Sequence, residues 1–296
     1  MRSSTYVRTP PRGILDAACH RAGLNDVQRR AMLLTGKHRL VLVRGPPGTG
    51  KTQLASATID ALAQELEGQD IVIAAGPSNT ATDNLLDRSA GMEGRMYQIG
   101  RLGEGESVFA GTRVQYSLTA KAKATAGHDA KKSKINQVVK SIILRNEHPV
   151  LFTTYMKSAE LYGTRPRFIL ADEAGQATEP TTAVLLANAV DGGHVMIVGD
   201  EHQLAPTVKD QRAVWEGLSC SLLARLNRTH SGLNHVVMLT IQYRMHPDIQ
   251  CFPNTQYYDN ALQCGLSDWP EIIYGIPWPT KGEGPDRPGS AHTGIM

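Results

Sequence analysis

Apolar residues along this chain fall into two kinds of run. RLVLVRG (39–45), DIVIAAG (70–76), PVLFTTY (149–155), RPRFILADEA (165–174), HVMIVGD (194–200) and HVVMLTIQ (235–242) are short, β-rich and apolar at nearly every central position. Between them, QLASATIDALAQELEG (53–68), PSNTATDNLLDRSA (77–90), TEPTTAVLLANAV (178–190) and WEGLSCSLLARLNRTH (215–230) carry a helical pattern. Strands with no polar face need cover on both sides. Their alternation with helical segments predicts an α/β fold, a parallel sheet with helices on both faces.

Two stretches break the rhythm. KAKATAGHDAKKSKINQVVK (121–140) holds six lysines against one aspartate and predicts a basic helical insertion over about 112–147. From Asp268 the chain is crowded with Pro and Gly and shows no period, so an irregular tail over 268–296 is expected. The first twelve residues, with Arg2, Arg8 and Arg12 and no acid, read as a flexible basic tail with only a faint look of a transit peptide. Residues 13–234 are therefore the expected main domain. Residues 235–267 look like the start of another.

At 296 residues, 41% hydrophobic and 20% charged, the composition is that of a globular protein with a sizeable core. A net charge of +3 is too mild to point to a nucleic-acid partner, so local patches must decide. The four cysteines, Cys19, Cys220, Cys251 and Cys264, contain no C-x-x-C pair and suggest neither a zinc site nor a disulfide framework. No apolar run nears the roughly 18 residues of a membrane span, so no membrane partner is expected.

The chemistry begins at Gly45-Pro-Pro-Gly-Thr-Gly-Lys51-Thr52, which matches G-x-x-x-x-G-K-[ST] between a strand and a helix. Backbone amides in such a turn surround phosphate oxygens, and the helix N-terminus adds its dipole. Lys51 is expected to hold the β and γ phosphates, and Thr52 a magnesium ion. Upstream, Asn25 and Gln28 form an N-x-x-Q pattern that caps a helix; Gln28 is also placed to read an adenine edge. Phe168-Ile-Leu-Ala-Asp172-Glu173 ends an apolar strand in two carboxylates, suited to holding the metal and activating water, or to capping the next helix. Gly199-Asp-Glu-His-Gln203 ends another strand, with Gln203 placed to sense a γ phosphate or simply to complete a polar turn.

In order, GPPGTGKT (45–52), GPSNTATDNLL (76–86), DEAGQATEP (172–180), GDEHQLAP (199–206) and QYRMHPDI (242–249) resemble the superfamily 1 helicases, in the up-frameshift group of nonsense-mediated decay. The resemblance spans roughly Leu24 to Gly265. It implies a P-loop NTPase with a RecA-like sheet, followed by a short remnant of a second RecA-like domain, with ATP and Mg²⁺ as cofactors. It assigns Gln28, Gly45, Pro47, Gly48, Thr49, Gly50, Lys51 and Thr52 to ATP, and Thr52 and Asp172 to the metal. Lys51, Asp172, Glu173, Gln203 and Arg244 become the catalytic set, with Tyr243 stacking on adenine. Pro77, Ser78, Asn79, Thr153 and Thr154 become single-strand contacts, although Ser78 and Asn79 equally suit a helix N-cap.

A complete member has a second RecA-like domain carrying further motifs, and these are not found after QYRMHP. The resemblance thus implies a truncated, impaired ATP hydrolase that binds single-stranded nucleic acid, RNA ahead of DNA, without processive unwinding. A non-catalytic relic serving as a nucleotide, RNA or protein-binding module is the alternative, with a protein partner at the unpaired second-domain strand. A GTPase or small-molecule kinase is disfavoured because no N-K-x-D stretch occurs. Cytoplasm or nucleus is the expected address.

Overall fold

The computed structural model describes residues 12–103, 111–127, 130–230 and 232–266, and the strand residues 272–273 and 276–277. The apolar runs supply β1 (Leu40–Arg44), β2 (Ile71–Gly76), β4 (Val150–Thr154), β5 (Pro166–Ala171), β6 (His194–Gly199) and β7 (Val236–Met238), and β3 (Ile99–Leu102) completes the set. They form one parallel sheet in the order β3-β4-β2-β5-β6-β1-β7. Period-two alternation divides each strand between two cores. Val41 and Val43 face one side with Phe168 and Leu170, while Leu42 faces the other with Ile169 and Ala171.

The first face is covered by α1 (Arg12–Arg21), α2 (Asp26–Leu34), α3 (Lys51–Ala63) and α4 (Asn79–Ala90), through Leu15, Met32, Leu54 and Leu85. The second is covered by α5 (Leu118–Ala126), α6 (Lys132–Leu144), α7 (Glu179–Leu186) and α9 (Leu222–His230), which follows a short α8 (Gln211–Trp215). The basic insertion is thus two helices. Ile135, Val139 and Ile142 recur along the buried stripe of α6 while its lysines stay outside.

Strand β3 had no signal as an apolar run, because Gly100 and Arg101 interrupt it. Arg101 is nonetheless wholly buried, its guanidinium paired with Asp83 at 2.8 Å. The helix expected over 215–230 starts only at Leu222: α8 ends at Trp215, Gly217 at φ +90° turns the chain, and Ser221 accepts the Ala224 N–H to start α9.

The run HVVMLTIQ also divides. Val236–Met238 pairs with β1, with Leu42 opposite Val236, and the Leu239 N–H still donates to the Arg44 carbonyl at 2.8 Å. The chain then leaves the sheet, and β8 (Ile241–Gln242) pairs in parallel with β9 (Gln263–Cys264) around α10 (Pro247–Tyr257). The sheet therefore extends past the expected boundary at 234/235. In the expected irregular tail, Ile272–Ile273 and Ile276–Pro277 form an antiparallel pair, β10 and β11; the rest of that tail and residues 1–11 lie outside the described residues.

Candidate nucleotide-binding site

The carboxyl ends of β1, β5 and β6 bring the phosphate loop, the acid pair and the Gly199–Gln203 turn together. The loop is pinned at its start, where the Gly45 N–H donates to the Gly199 carbonyl at 2.8 Å. Thr49 Oγ1 donates back to the Pro46 carbonyl at 2.7 Å, closing the turn. Gly50 caps α3 without a side-chain bond, so the first amides of a thirteen-residue helix remain available to an anion. Lys51 is buried, and its Nζ donates to the Gly45 carbonyl at 2.7 Å. Gln203 Nε2 approaches the same carbonyl at 3.4 Å. Gly45 is thus where the loop lysine and the glutamine of the β6 turn meet. Pro47 and Thr52 are half-buried beside it.

Asp172 follows β5 with its backbone N–H on the Ala75 carbonyl, and it is buried. Burial, then the neighbouring Glu173 charge, pushes its carboxyl up to about 7, against the opposing Glu173 N–H bond and the Lys51 charge. Glu173 itself holds φ +51°, an uncommon left-handed conformation for a glutamate, and its Oε2 accepts from Gln176 at 3.2 Å. Two carboxyls side by side in a low-dielectric site suit a divalent cation, which would relieve their repulsion. Gly175 lets this turn touch the next, since a Cβ there would stand 2.3 Å from the Asp200 carbonyl.

The segment after β7 lies directly on the phosphate loop. The Tyr243 N–H donates to the Gly48 carbonyl at 3.0 Å, and a Cβ on Gly48, which sits at φ +75°, would meet Arg244 Cβ at 2.5 Å. Asn25 Nδ2 donates to the Tyr243 hydroxyl at 3.1 Å, while the ring packs on Gly265 and stays 42% exposed. Arg244 is exposed, and its guanidinium makes no hydrogen bond among the described residues. Gln242 shapes this turn from a wholly buried position. Its Oε1 accepts the Arg244 and Met245 N–H groups, and its Nε2 donates to Gln250 Oε1 at 2.8 Å.

Gln28 shows the expected capping box: Asn25 Oδ1 accepts its N–H, and its Oε1 accepts the Asn25 N–H, both at 3.0 Å. Its Nε2 also donates to the Thr49 carbonyl at 2.9 Å. Each end of this amide makes one bond, so it braces the phosphate loop while Nε2 keeps a second N–H and Oε1 a second lone pair.

The expected single-strand contacts gather at the carboxyl ends of β2 and β4, where Gly76 lies opposite Thr154. Ser78 Oγ caps α4 by accepting the Ala81 N–H, and Asn79 Oδ1 accepts from Arg101 at 2.9 Å. Pro77 and Thr154 are half-buried, whereas Thr153 is fully buried beneath α4, its carbonyl accepting from Thr82. Thr153 therefore corrects the expectation: it presents no surface to a strand. A cleft of about 810 Å³ lined by Pro180, Arg212, Leu218 and Arg225 contains none of the candidate site residues.

Matches to known proteins agree with this geometry. Residues 23–214 fit the family model of an AAA domain, and residues 218–274 fit a second AAA-domain model. The chain is similar to regulator of nonsense transcripts 1 of Caenorhabditis elegans, 30% identical over 86% of this chain and 25% of the relative. ATP-dependent helicase NAM7 of Saccharomyces cerevisiae is 30% identical over 88% of this chain and 28% of its own length. The chain belongs to the superfamily 1 helicases of up-frameshift type. It also shows 32% identity to the DNA replication ATP-dependent helicase/nuclease DNA2 of Mus musculus, over 86% of this chain and 22% of that protein. The chain thus spans about a quarter of the length of these relatives.

Several supporting residues had no signal in the motifs. Gln242 and Asp200 stood inside quoted motifs without a role, and Arg44 and Tyr258 meet the Gly199–Gln203 turn only through contacts that the fold creates.

Proposed function

We propose that this chain binds Mg-ATP between the phosphate loop and the Tyr243–Arg244 segment, hydrolyses it slowly, and holds single-stranded nucleic acid, RNA ahead of DNA. One observation carries the reading: Lys51 and Gln203 converge on the Gly45 carbonyl while Tyr243 is bonded to Gly48 on the same loop. In the triphosphate complex Lys51 and Gln203 exchange that carbonyl for phosphate oxygens. Thr52 and Asp172 would hold Mg²⁺, which, when bound, neutralises charge on the phosphates. Glu173 orients the attacking water and accepts its proton. Tyr243 offers its open ring face to adenine. Gln28 acts on the nucleotide through the loop it braces.

Hydrolysis by these 296 residues is expected to be slow. A transition-state arginine is worth about 10³ to 10⁵ in rate, and Arg244 is the cation placed to supply part of that. Strand separation needs two domains closing around ATP, and among the described residues the second sheet amounts to β8 and β9. Pro77, Ser78, Asn79 and Thr154 form the single-strand surface. The competing reading, a non-catalytic module, draws on the exposure of the Arg244 guanidinium. Cytoplasm or nucleus is the matching address.

ATP turnover with and without single-stranded RNA, beside Lys51→Ala and Glu173→Gln, separates the two. Turnover above the Glu173→Gln background supports the enzyme. Nucleotide binding with turnover equal to that background establishes the module. A parent chain that binds no nucleotide overturns the enzyme and leaves the module only its RNA- or protein-binding form.

A further inference from the structure

The Gly199–Gln203 turn is held from outside the first part of the chain. Asp200 is buried, and both of its oxygens accept hydrogen bonds. Oδ1 accepts the His202 N–H at 3.0 Å. Oδ2 accepts Gln203 Nε2 at 2.9 Å and the Tyr258 hydroxyl at 2.7 Å. Tyr258 stands just beyond α10, the helix that begins three residues after Arg244, and is itself buried. Arg44 lies over its ring at 5.5 Å, pairs with Glu201 at 3.2 Å and donates to the Tyr257 carbonyl at 3.0 Å. His202 meets the same ring edge-on at 5.8 Å.

Helix α10 therefore has both ends on the nucleotide site. Before its first turn, Tyr243 is bonded to Gly48; after its last, Tyr258 is bonded to the carboxylate that holds Gln203. We infer that Tyr258 is a positioning residue for Gln203, aiming its amide at the γ phosphate through Asp200 and making the response to the third phosphate depend on the docked 241–264 segment. The inference rests on the proposed role of Gln203. Burial and the Asp200 charge raise the phenol above its ordinary range, so it donates throughout the working pH range. With the Tyr258 donor gone, Asp200 Oδ2 loses one of two partners and the Gln203 amide loses a fixed anchor.

The test uses the full chain and Tyr258→Phe, which keeps the ring between Arg44 and His202 and removes only the hydroxyl. Affinities for Mg-ADP and for a non-hydrolysable Mg-ATP analogue are measured, with thermal melting to establish folding. In the parent chain the analogue binds more tightly than ADP. In Tyr258→Phe the ADP affinity is unchanged and that preference falls by about tenfold, the scale of one charge-assisted hydrogen bond. In a Gln203→Ala background the same substitution has no further effect. A preference retained in a folded Tyr258→Phe, or a fall that persists without Gln203, overturns the inference. A parent chain that binds neither nucleotide refutes the proposed function instead, and one that binds both equally refutes the sensor role of Gln203.

Discussion

Replacing Asp172 by Asn should make the empty protein more stable while removing its use. The carboxyl is buried beside Glu173 and titrates near 7, against an ordinary 3.8. Between those values the folded chain keeps a proton there that the unfolded chain has released. Stability therefore falls as pH rises through the window, and above pH 7 the full cost is present. The difference between 3.8 and about 7 corresponds to about 4 kcal/mol at most. Asparagine keeps the acceptor that takes the Glu173 N–H at 2.9 Å and carries no charge. We expect Asp172→Asn to raise the melting temperature at pH 8 by roughly 4 to 8 °C, from about 2 to 4 kcal/mol in a chain of this size. The gain shrinks to less than half at pH 5, where the wild-type carboxyl is already protonated. Calorimetry of both proteins at pH 5, 6.5 and 8 measures it directly. A gain that is flat with pH, or larger at pH 5, would refute the assigned cause. Added Mg-ATP should raise the melting temperature of the wild type and do little for the variant.

Three further substitutions address other parts of the site. Asp83→Ala leaves the buried Arg101 guanidinium without its carboxylate and should cost about 3 to 5 kcal/mol in denaturant unfolding; a loss below 1 kcal/mol would show the pair to be dispensable. Gly48→Ala puts a Cβ against Arg244 in a left-handed loop position, so it should cost about 1 to 3 kcal/mol and lower ATP turnover, read by melting and steady-state kinetics. Tyr243→Ala should weaken ATP binding about tenfold with little change in melting temperature, by the scale of one base–aromatic stack; unchanged affinity in a titration would make the segment a passive cover.

The strands with burial on both faces were legible because nothing polar interrupts them. The phosphate loop, the acid pair and the Gln203 turn were legible because each follows such a strand. Strand β3 was not, since Arg101 reads as a surface residue until Asp83 and Asn79 are known to receive it. Thr153 failed for the opposite reason: a polar residue at a strand end looks available, and only α4 above it shows otherwise. The long run 235–242 carried no mark of its division, because Leu239 still bonds to β1 while Gln242 is spent on its own turn. Tyr258 was invisible in principle. Its partner Asp200 lies 58 residues earlier in the chain.

The order of the sheet also sets a timetable for synthesis. Strand β1, which delivers the phosphate loop, lies between β6 and β7, and Leu42 meets Val236 only after 194 further residues (236 − 42) have been made. At about 5 to 20 residues per second, the ribosome needs roughly 10 to 40 s to supply them. Both edges of β1 are unpaired until β6 is made, and the other edge stays open to wrong pairing until Val236 arrives. Nucleotide finds no closed site in the early chain, because Tyr243 and Arg244 are made long after the phosphate loop that they cover.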